Sequence, residues 1–105
     1  MPDDPVRLSV TRNGPRSFEL IGELDAHSSL PLDELLAPES ATQHITLDMA
    51  KVEFMDSSGL RMLLELRTRA TEAGTQLVLR APSRQVARVL QVSGLDDVFQ
   101  VVPTQ

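Results

Sequence analysis

Short apolar runs alternate with amphipathic segments along most of this chain. The strand-like runs lie at residues 6–10, 17–22, 44–49, 76–80 and 97–102. The helix-like segments lie at residues 30–38, 57–73 and 83–93. Asn13-Gly14 separates the first two strands and is typical of a hairpin turn. After that hairpin, strands alternate with helices, which predicts an α/β fold of parallel βαβ units with right-handed crossovers.

The composition restricts both the core and the partners. Aromatic residues make up 3% of the chain, with no Trp and no Tyr, so the predicted core is aliphatic. The formal net charge of −5 argues against nucleic acid or a membrane as a partner, because an anionic partner requires a basic patch. The chain has no cysteine, which excludes disulfides and a cysteine-based zinc site, and we predict no metal and no cofactor.

The length of 105 residues fits one domain, predicted to span residues 1–105. We expect an ordered core at about residues 5–102, preceded by a loose arm rich in Pro and Asp at residues 1–5. The N-terminal residues lack the apolar stretch of a secretory signal, and no apolar run approaches the length of a membrane span. These features predict a cytoplasmic protein.

The stretch FMDSSGL, residues 54–60, leads into the longest predicted helix. Residues 50–55 are expected to form a short crossing segment before it. A helix N-terminus has unpaired N–H groups and partial positive charge, so it accepts either a hydroxyl as a cap or a phosphate on that hydroxyl. Ser57 is therefore a cap or a phosphorylation site, and the pattern alone leaves both open. Gly59 would leave room for the close approach of a partner's backbone.

A catalytic role for the same turn is disfavoured. Ser57, His27 and Asp25 are the residue types of a nucleophile, a base and an orienting acid. A nucleophile elbow requires the pattern G-x-S-x-G, however, and Met55 stands at the first glycine position. We predict that the protein is not an enzyme and has no catalytic residues.

Three motifs together resemble a known family. GELD at residues 22–25 leaves the second predicted strand, DSSGL at 56–60 opens the long helix, and VSGLDDVFQV at 92–101 leads into the last strand. The combination resembles the STAS domain of bacterial anti-sigma factor antagonists, over about residues 5–102. The resemblance implies a mixed, mostly parallel sheet with an N-terminal hairpin and about three helices packed mainly on one face.

The resemblance also implies a function and a set of site residues. In the family, the unphosphorylated domain binds an anti-sigma factor that is also a serine kinase, which frees a sigma factor. Phosphorylation ends that binding, and a serine phosphatase restores it. The family's phosphoacceptor maps onto Ser57, with Ser58 as the second candidate. The implied partner-binding residues surround this turn: Asp25, Asp56, Ser57, Ser58, Gly59, Leu60 and Arg61.

The chain departs from the family pattern in two places. The predicted helix at 30–38 is short, with proline near both ends, and Arg61 stands where many members have a small or apolar residue. Both departures bear on the identity of the partner. A second interpretation within the family also stays open. It is a STAS subunit of a larger stress-signalling or lipid-transport complex, in which the serine turn only docks.

Overall fold

A five-stranded sheet organises the chain. The computed structural model describes residues 7–28, 30–31, 35–36 and 44–103. The elements in chain order are β1 (Leu8–Gly14), β2 (Ser17–Leu24), β3 (Ile45–Met55), α1 (Ser57–Glu72), β4 (Leu77–Arg80), α2 (Arg84–Val92) and β5 (Gln100–Val102). The strands lie side by side in the same order; β1 is antiparallel to β2, and the three later pairs are parallel. The predicted α/β class with an N-terminal hairpin and a mostly parallel sheet is confirmed.

Both described helices pack against one face of the sheet. Alternate residues of β2, namely Phe18, Leu20 and Leu24, are buried. They belong to a single apolar cluster with side chains of β3, β4, α1 and α2. The residues between them point to the other face, where ion pairs join neighbouring strands. Lys51 lies 3.5 Å from Glu19, and a second pair links β3 to β4.

Strand β3 is longer than the sequence indicated. The prediction that residues 50–55 form a crossing segment was wrong, because β3 continues to Met55. Its pairing with β2 continues as well, but β3 has two extra residues along this pairing. One lies opposite the β2 segment between Glu19 and Ile21, and the other lies opposite the step from Gly22 to Glu23. Each extra residue shifts the inward-facing positions by one. The strand therefore lacks the regular alternation by which a strand is recognised in a sequence.

Other predicted boundaries moved at the ends of the chain. The first strand extends to Gly14 instead of ending at residue 10, and the last strand covers Gln100–Val102 instead of 97–102. Residues 96–98 form a turn, in which Val98 N–H donates to the Leu95 carbonyl at 3.0 Å. The predicted helix at 30–38 and the predicted arm at 1–5 lie largely or wholly outside the described residues. The structure thus describes two helices where about three were predicted.

Capping groups satisfy the end of α1 and the start of α2. At the end of α1, Thr75 N–H donates to the Ala70 carbonyl at 2.9 Å and Gly74 N–H to the Thr71 carbonyl at 3.0 Å. This is a Schellman ending, which places Gly74 at a positive φ of 82°. Ser83 caps α2 by accepting a hydrogen bond from Val86 N–H at 3.3 Å.

Candidate functional site

The ends of β2 and β3 meet at one edge of the sheet. Leu24 and Met55 are paired in register, and Asp56 N–H donates to the Leu24 carbonyl at 3.4 Å. Asp25 directly follows Leu24, and Asp56 directly follows Met55. The structure therefore brings the GELD segment and the serine turn together at the C-terminal edge of the parallel strands, where α/β folds commonly place their sites.

Asp56, not Ser57, is the cap of α1. Its Oδ1 accepts hydrogen bonds from the backbone N–H groups of Ser58 at 3.0 Å and Gly59 at 3.2 Å. Ser57 is the first residue of the helix and is exposed. Within the described part of the chain, its hydroxyl has no hydrogen-bond partner. The cap interpretation of Ser57 was therefore wrong, because the preceding carboxylate already fills that role.

Gly59 allows α1 to start in contact with β2. It is buried, and a Cβ atom at this position would lie 2.0 Å from the carbonyl oxygen of Leu24 and 2.8 Å from its carbonyl carbon. No side chain fits at that separation. The sequence predicted room here for a partner's backbone, but the backbone that occupies this space is the chain's own β2 strand.

Asp25 is the centre of a hydrogen-bonded loop. Its side chain is 8% exposed, and both of its oxygens face Arg7, whose Nε lies 3.3 Å from Oδ1. The same Oδ1 accepts from His27 N–H at 3.0 Å and lies 3.1 Å from the Ser28 hydroxyl. Arg7 also reaches Glu23 at 2.7 Å, across from the start of the loop. The carboxylate therefore holds together the residue before β1 and the loop that leaves β2.

These contacts keep Asp25 ionised. The hydrogen bond from Arg7 holds the pKa of Asp25 well below its usual range. Burial opposes that shift, while the His27 N–H and the Ser28 hydroxyl add to it. The same hydrogen bond raises the pKa of Arg7. The carboxylate thus stabilises the loop, and only a small part of it is exposed for contact with a partner.

On the side away from β2, the far end of β3 is held by the start of α2 instead of by a strand. β4 pairs only with the first four residues of β3. Beyond them, Ser83 N–H donates to the Met49 carbonyl at 3.2 Å and Ser83 Oγ to the Val52 carbonyl at 2.7 Å. Gln85 then closes the row, because Oε1 accepts from Met55 N–H at 2.7 Å and Nε2 donates to the Met55 carbonyl at 3.2 Å. These bonds fix the residue that precedes Asp56 and the serine turn.

A groove separates the first turn of α1 from one side of α2. It encloses about 340 Å³ and is lined by Ser57 and Leu60 on one side and by Arg88, Val89 and Val92 on the other. Val92 is 81% exposed, the largest value among the exposed large apolar side chains of the described residues. The free hydroxyl of Ser57 therefore stands at the margin of an apolar depression.

The predicted site residues differ in what they expose. Ser57 and Arg61 are exposed, and Asp56 and Ser58 are half-buried beside them. Gly59 and Asp25 are buried, and Leu60 is 7% exposed at the wall of the groove. The exposed part of the predicted set is therefore a short strip along the start of α1.

Several residues of this region were missed by the sequence analysis. Ser28 follows Asp25 by three positions, and this spacing is a local signal of a side-chain-capped turn. Arg7 and Gln85 carry no such signal, because their partners lie 18 and 30 positions away. Val92 is spaced from Val89 and Gln85 as on one helix side, which is a weak sign of a second face.

The described residues offer neither a metal site nor a membrane span. No group of three or more His, Cys, Asp or Glu side chains there is arranged to hold a metal ion. No helix in the same part of the chain is both long and apolar enough to cross a membrane.

The fold and the turn define a class of protein: an α/β domain with an exposed serine at the start of a helix, placed at the C-terminal edge of a mixed sheet. Residues 8–105 match the STAS domain family, and the chain belongs to that family. The resemblance carried by the GELD and DSSGL motifs is confirmed.

Relatives and solved structures agree with this assignment. The anti-sigma-B factor antagonist of Staphylococcus epidermidis is 28% identical over 95 residues, covering 89% of this chain and 88% of the relative. The protein of the same name in Staphylococcus aureus is 28% identical over 82 residues, 76% of each chain.

Two solved structures have a similar fold. A proposed anti-sigma factor antagonist from Thermotoga maritima has a TM-score of 0.68 at 20% identity, covering 92% of this chain and 86% of that one. The anti-sigma factor antagonist SpoIIAA, solved in its unphosphorylated form, has a TM-score of 0.60 at 23% identity, covering 90% and 86%. These likenesses support the STAS fold described above.

Proposed function

We propose that this protein is an anti-sigma factor antagonist that is switched by phosphorylation of Ser57. Unmodified, it binds an anti-sigma factor with serine kinase activity in the cytoplasm and frees a sigma factor. Phosphorylation ends the binding, and a serine phosphatase reverses it. The protein itself is a binding protein and a kinase substrate, not an enzyme. The names of its Staphylococcus relatives support the antagonist role.

One observation carries the switch: the cap and the hydroxyl are separate residues. Asp56 satisfies the N–H groups of the first turn, while Ser57 is exposed beside it. A kinase can reach the Ser57 hydroxyl without breaking the cap. A phosphoryl group there adds a charge of about −1.5 to −2 where the helix dipole favours negative charge. The modification would therefore change the binding surface and leave the helix intact.

A STAS subunit that docks without being phosphorylated is the alternative. Both proposals use the same surface and differ in the chemistry of Ser57. Measuring the intact mass of the protein from its own cell, with mapping of the modified residue, distinguishes them. A fraction with one phosphate on Ser57 that changes between growth and stress supports the switch. Lasting absence of phosphate, with the protein in a stable complex, favours the alternative.

Binding measurements test the role of the serine directly. Purified anti-sigma factors with a serine kinase domain, taken from the same genome, are titrated with the parent protein and two variants. Ser57→Ala should bind without responding to ATP, and Ser57→Asp should bind weakly. Equal binding of Ser57→Asp and the parent protein to the same anti-sigma factor would contradict the electrostatic switch.

A further inference from the structure

We propose that the groove between α1 and α2 is the docking site for an acidic protein segment that carries apolar anchor side chains. The inference rests on the proposed function in one respect, because Ser57 lines this groove. It adds the chemistry of the partner, which neither the family nor the relatives' names specify.

The groove offers apolar surface that the described residues do not cover. Leu60 lies at its wall, Val89 is half-buried, and Val92 is 81% exposed. Burying apolar surface of this kind contributes about 25 cal/mol per Å². A depression between two helices suits an amphipathic segment that inserts side chains at helical spacing.

The rim of the groove is positively charged. Arg88 lines the groove itself. Arg84 precedes Arg88 by one turn of α2, and Arg61 follows Ser57 by one turn of α1, so each lies on the same side as the groove residue. None of the three arginines forms an ion pair with another described residue, and all three belong to a chain with a net charge of −5.

The acid of the turn offsets only part of this charge. Asp56 also lines the groove, and the two N–H groups bound to its Oδ1 are neutral, so three arginines face one carboxylate here. The remaining surface field is therefore complementary to carboxylates, which would flank the apolar anchors of the partner segment. Basic segments would be repelled at the same place.

This arrangement explains how one phosphate could release a partner. A phosphoryl group on Ser57 would stand on the same rim as Arg88 and Arg61. It would compete with the partner's carboxylates for these arginines and repel the carboxylates directly. Release then requires no change of fold.

A phage-displayed library of random peptides tests the proposal on the intact, unmodified protein. Peptides are selected on the parent protein after removal of those that bind the double variant Arg88→Glu, Val92→Ser. We expect acidic peptides with Leu, Ile or Phe at helical spacing. Their affinity should fall about tenfold or more in Arg88→Glu. The matched control is Arg67→Glu, an equal charge change on an exposed residue in the second half of α1, and it should have little effect.

A charge exchange makes the outcome decisive. When the acidic residues of a selected peptide are replaced by Lys, it should bind Arg88→Glu better than the parent protein. Enrichment of basic or uncharged peptides, no enrichment, or equal effects of Arg88→Glu and Arg67→Glu would each overturn the proposal. The assay contains neither an anti-sigma factor nor a phosphate. Its failure would therefore not count against phosphorylation of Ser57. Conversely, if Ser57 proved to be unphosphorylated in the cell, selected acidic peptides would still support the groove as a docking site.

Discussion

Gly59 lies where the first turn of α1 contacts β2, and this contact positions the serine turn. The glycine costs helix stability, about 1 kcal/mol relative to Ala. The contact with the Leu24 carbonyl leaves no room for a methyl group, so the cost is offset by the close packing of helix against strand. The exposed Ser57 depends on this buried neighbour for its position.

Gly59→Ala should therefore destabilise the protein although alanine favours helices. The added Cβ would lie 2.0 Å from a backbone oxygen, so α1 must move away from β2. We expect a loss of about 3 kcal/mol in the free energy of unfolding, at the upper end for overpacking. Urea unfolding measures it. Gly74→Ala, where the added Cβ would meet no atom within 4 Å but φ is 82°, should lose only about 1 kcal/mol. An unchanged midpoint for Gly59→Ala would contradict the packing described here.

Asp25→Asn should lower stability in a pH-dependent way. The pKa of Asp25 is lowered in the folded protein, chiefly by Arg7. The ionised carboxylate therefore stabilises the fold at every pH above the pKa of an aspartate in the unfolded chain, which is about 3.9. That stabilisation is lost as the pH falls through the folded-state pKa. The urea midpoint of the variant should therefore lie below that of the parent protein at neutral pH, and the difference should narrow below about pH 4.

Glu23→Gln is the control for that experiment, because it removes the other acidic partner of Arg7. Its side chain is 41% exposed, and surface ion pairs contribute at most about 1 kcal/mol. A difference between Asp25→Asn and the parent protein that stays constant from neutral to acidic pH would show that the Asp25 carboxylate is not the stabilising group.

Among the elements, α2 has a role that the sequence did not predict, because it supports the end of β3. Its first residues satisfy the edge of β3 that β4 leaves unpaired, and they do so with side chains instead of a strand. The helix therefore supports the serine turn from one side, while Gly59 supports it from the other. The groove lies between these supports.

Gln85→Ala should loosen the end of β3. It removes both hydrogen bonds to Met55 and leaves a half-buried N–H and carbonyl without partners, which costs about 1–3 kcal/mol. The amide of Met55 should exchange with solvent faster than in the parent protein, and faster than in Gln91→Ala, which alters an exposed glutamine of the same helix. Hydrogen exchange followed by NMR measures both. Equal protection of Met55 in the two variants would exclude the support role of Gln85.

In the whole molecule, the buried core and the exposed strip of the site are separate. The apolar cluster lies between the sheet and the helices, whereas Ser57, Arg61 and Val92 lie outside it. A charge added at Ser57 therefore acts on the surface and on the net charge of −5, and not on the packing of the core.

Ser57→Asp should consequently retain the fold. An acid in the first turn interacts favourably with the helix dipole, by about 0.3–1 kcal/mol, so the urea midpoint should stay the same or rise slightly. NMR shift changes should be confined to the start of α1 and the facing side of α2. Asp56→Ala, which removes the cap, should instead lose about 1 kcal/mol. A loss of similar size in Ser57→Asp would mean that Ser57 has a structural role.

Local signals in the sequence determined much of this protein. Ser83, Gly74 and the DSSGL turn mark helix ends because caps act within one turn of the chain, and the alternation of strands and helices determines a mostly parallel sheet. The motifs around Asp25 and Ser57 were enough to place the chain in its family and to indicate the serine turn as the candidate site.

Only the tertiary structure decided the contacts between distant segments. The extra residues of β3 are accommodated by pairing with β2, the carboxylate of Asp25 is taken up by Arg7, and Met55 is held by Gln85. Each of these contacts joins groups that come together only when the sheet has formed, so no local sequence pattern predicts it. For the same reason the sequence did not show which of Asp56 and Ser57 is the helix cap. Which of two neighbouring polar side chains caps a helix depends on the direction from which the chain enters that helix.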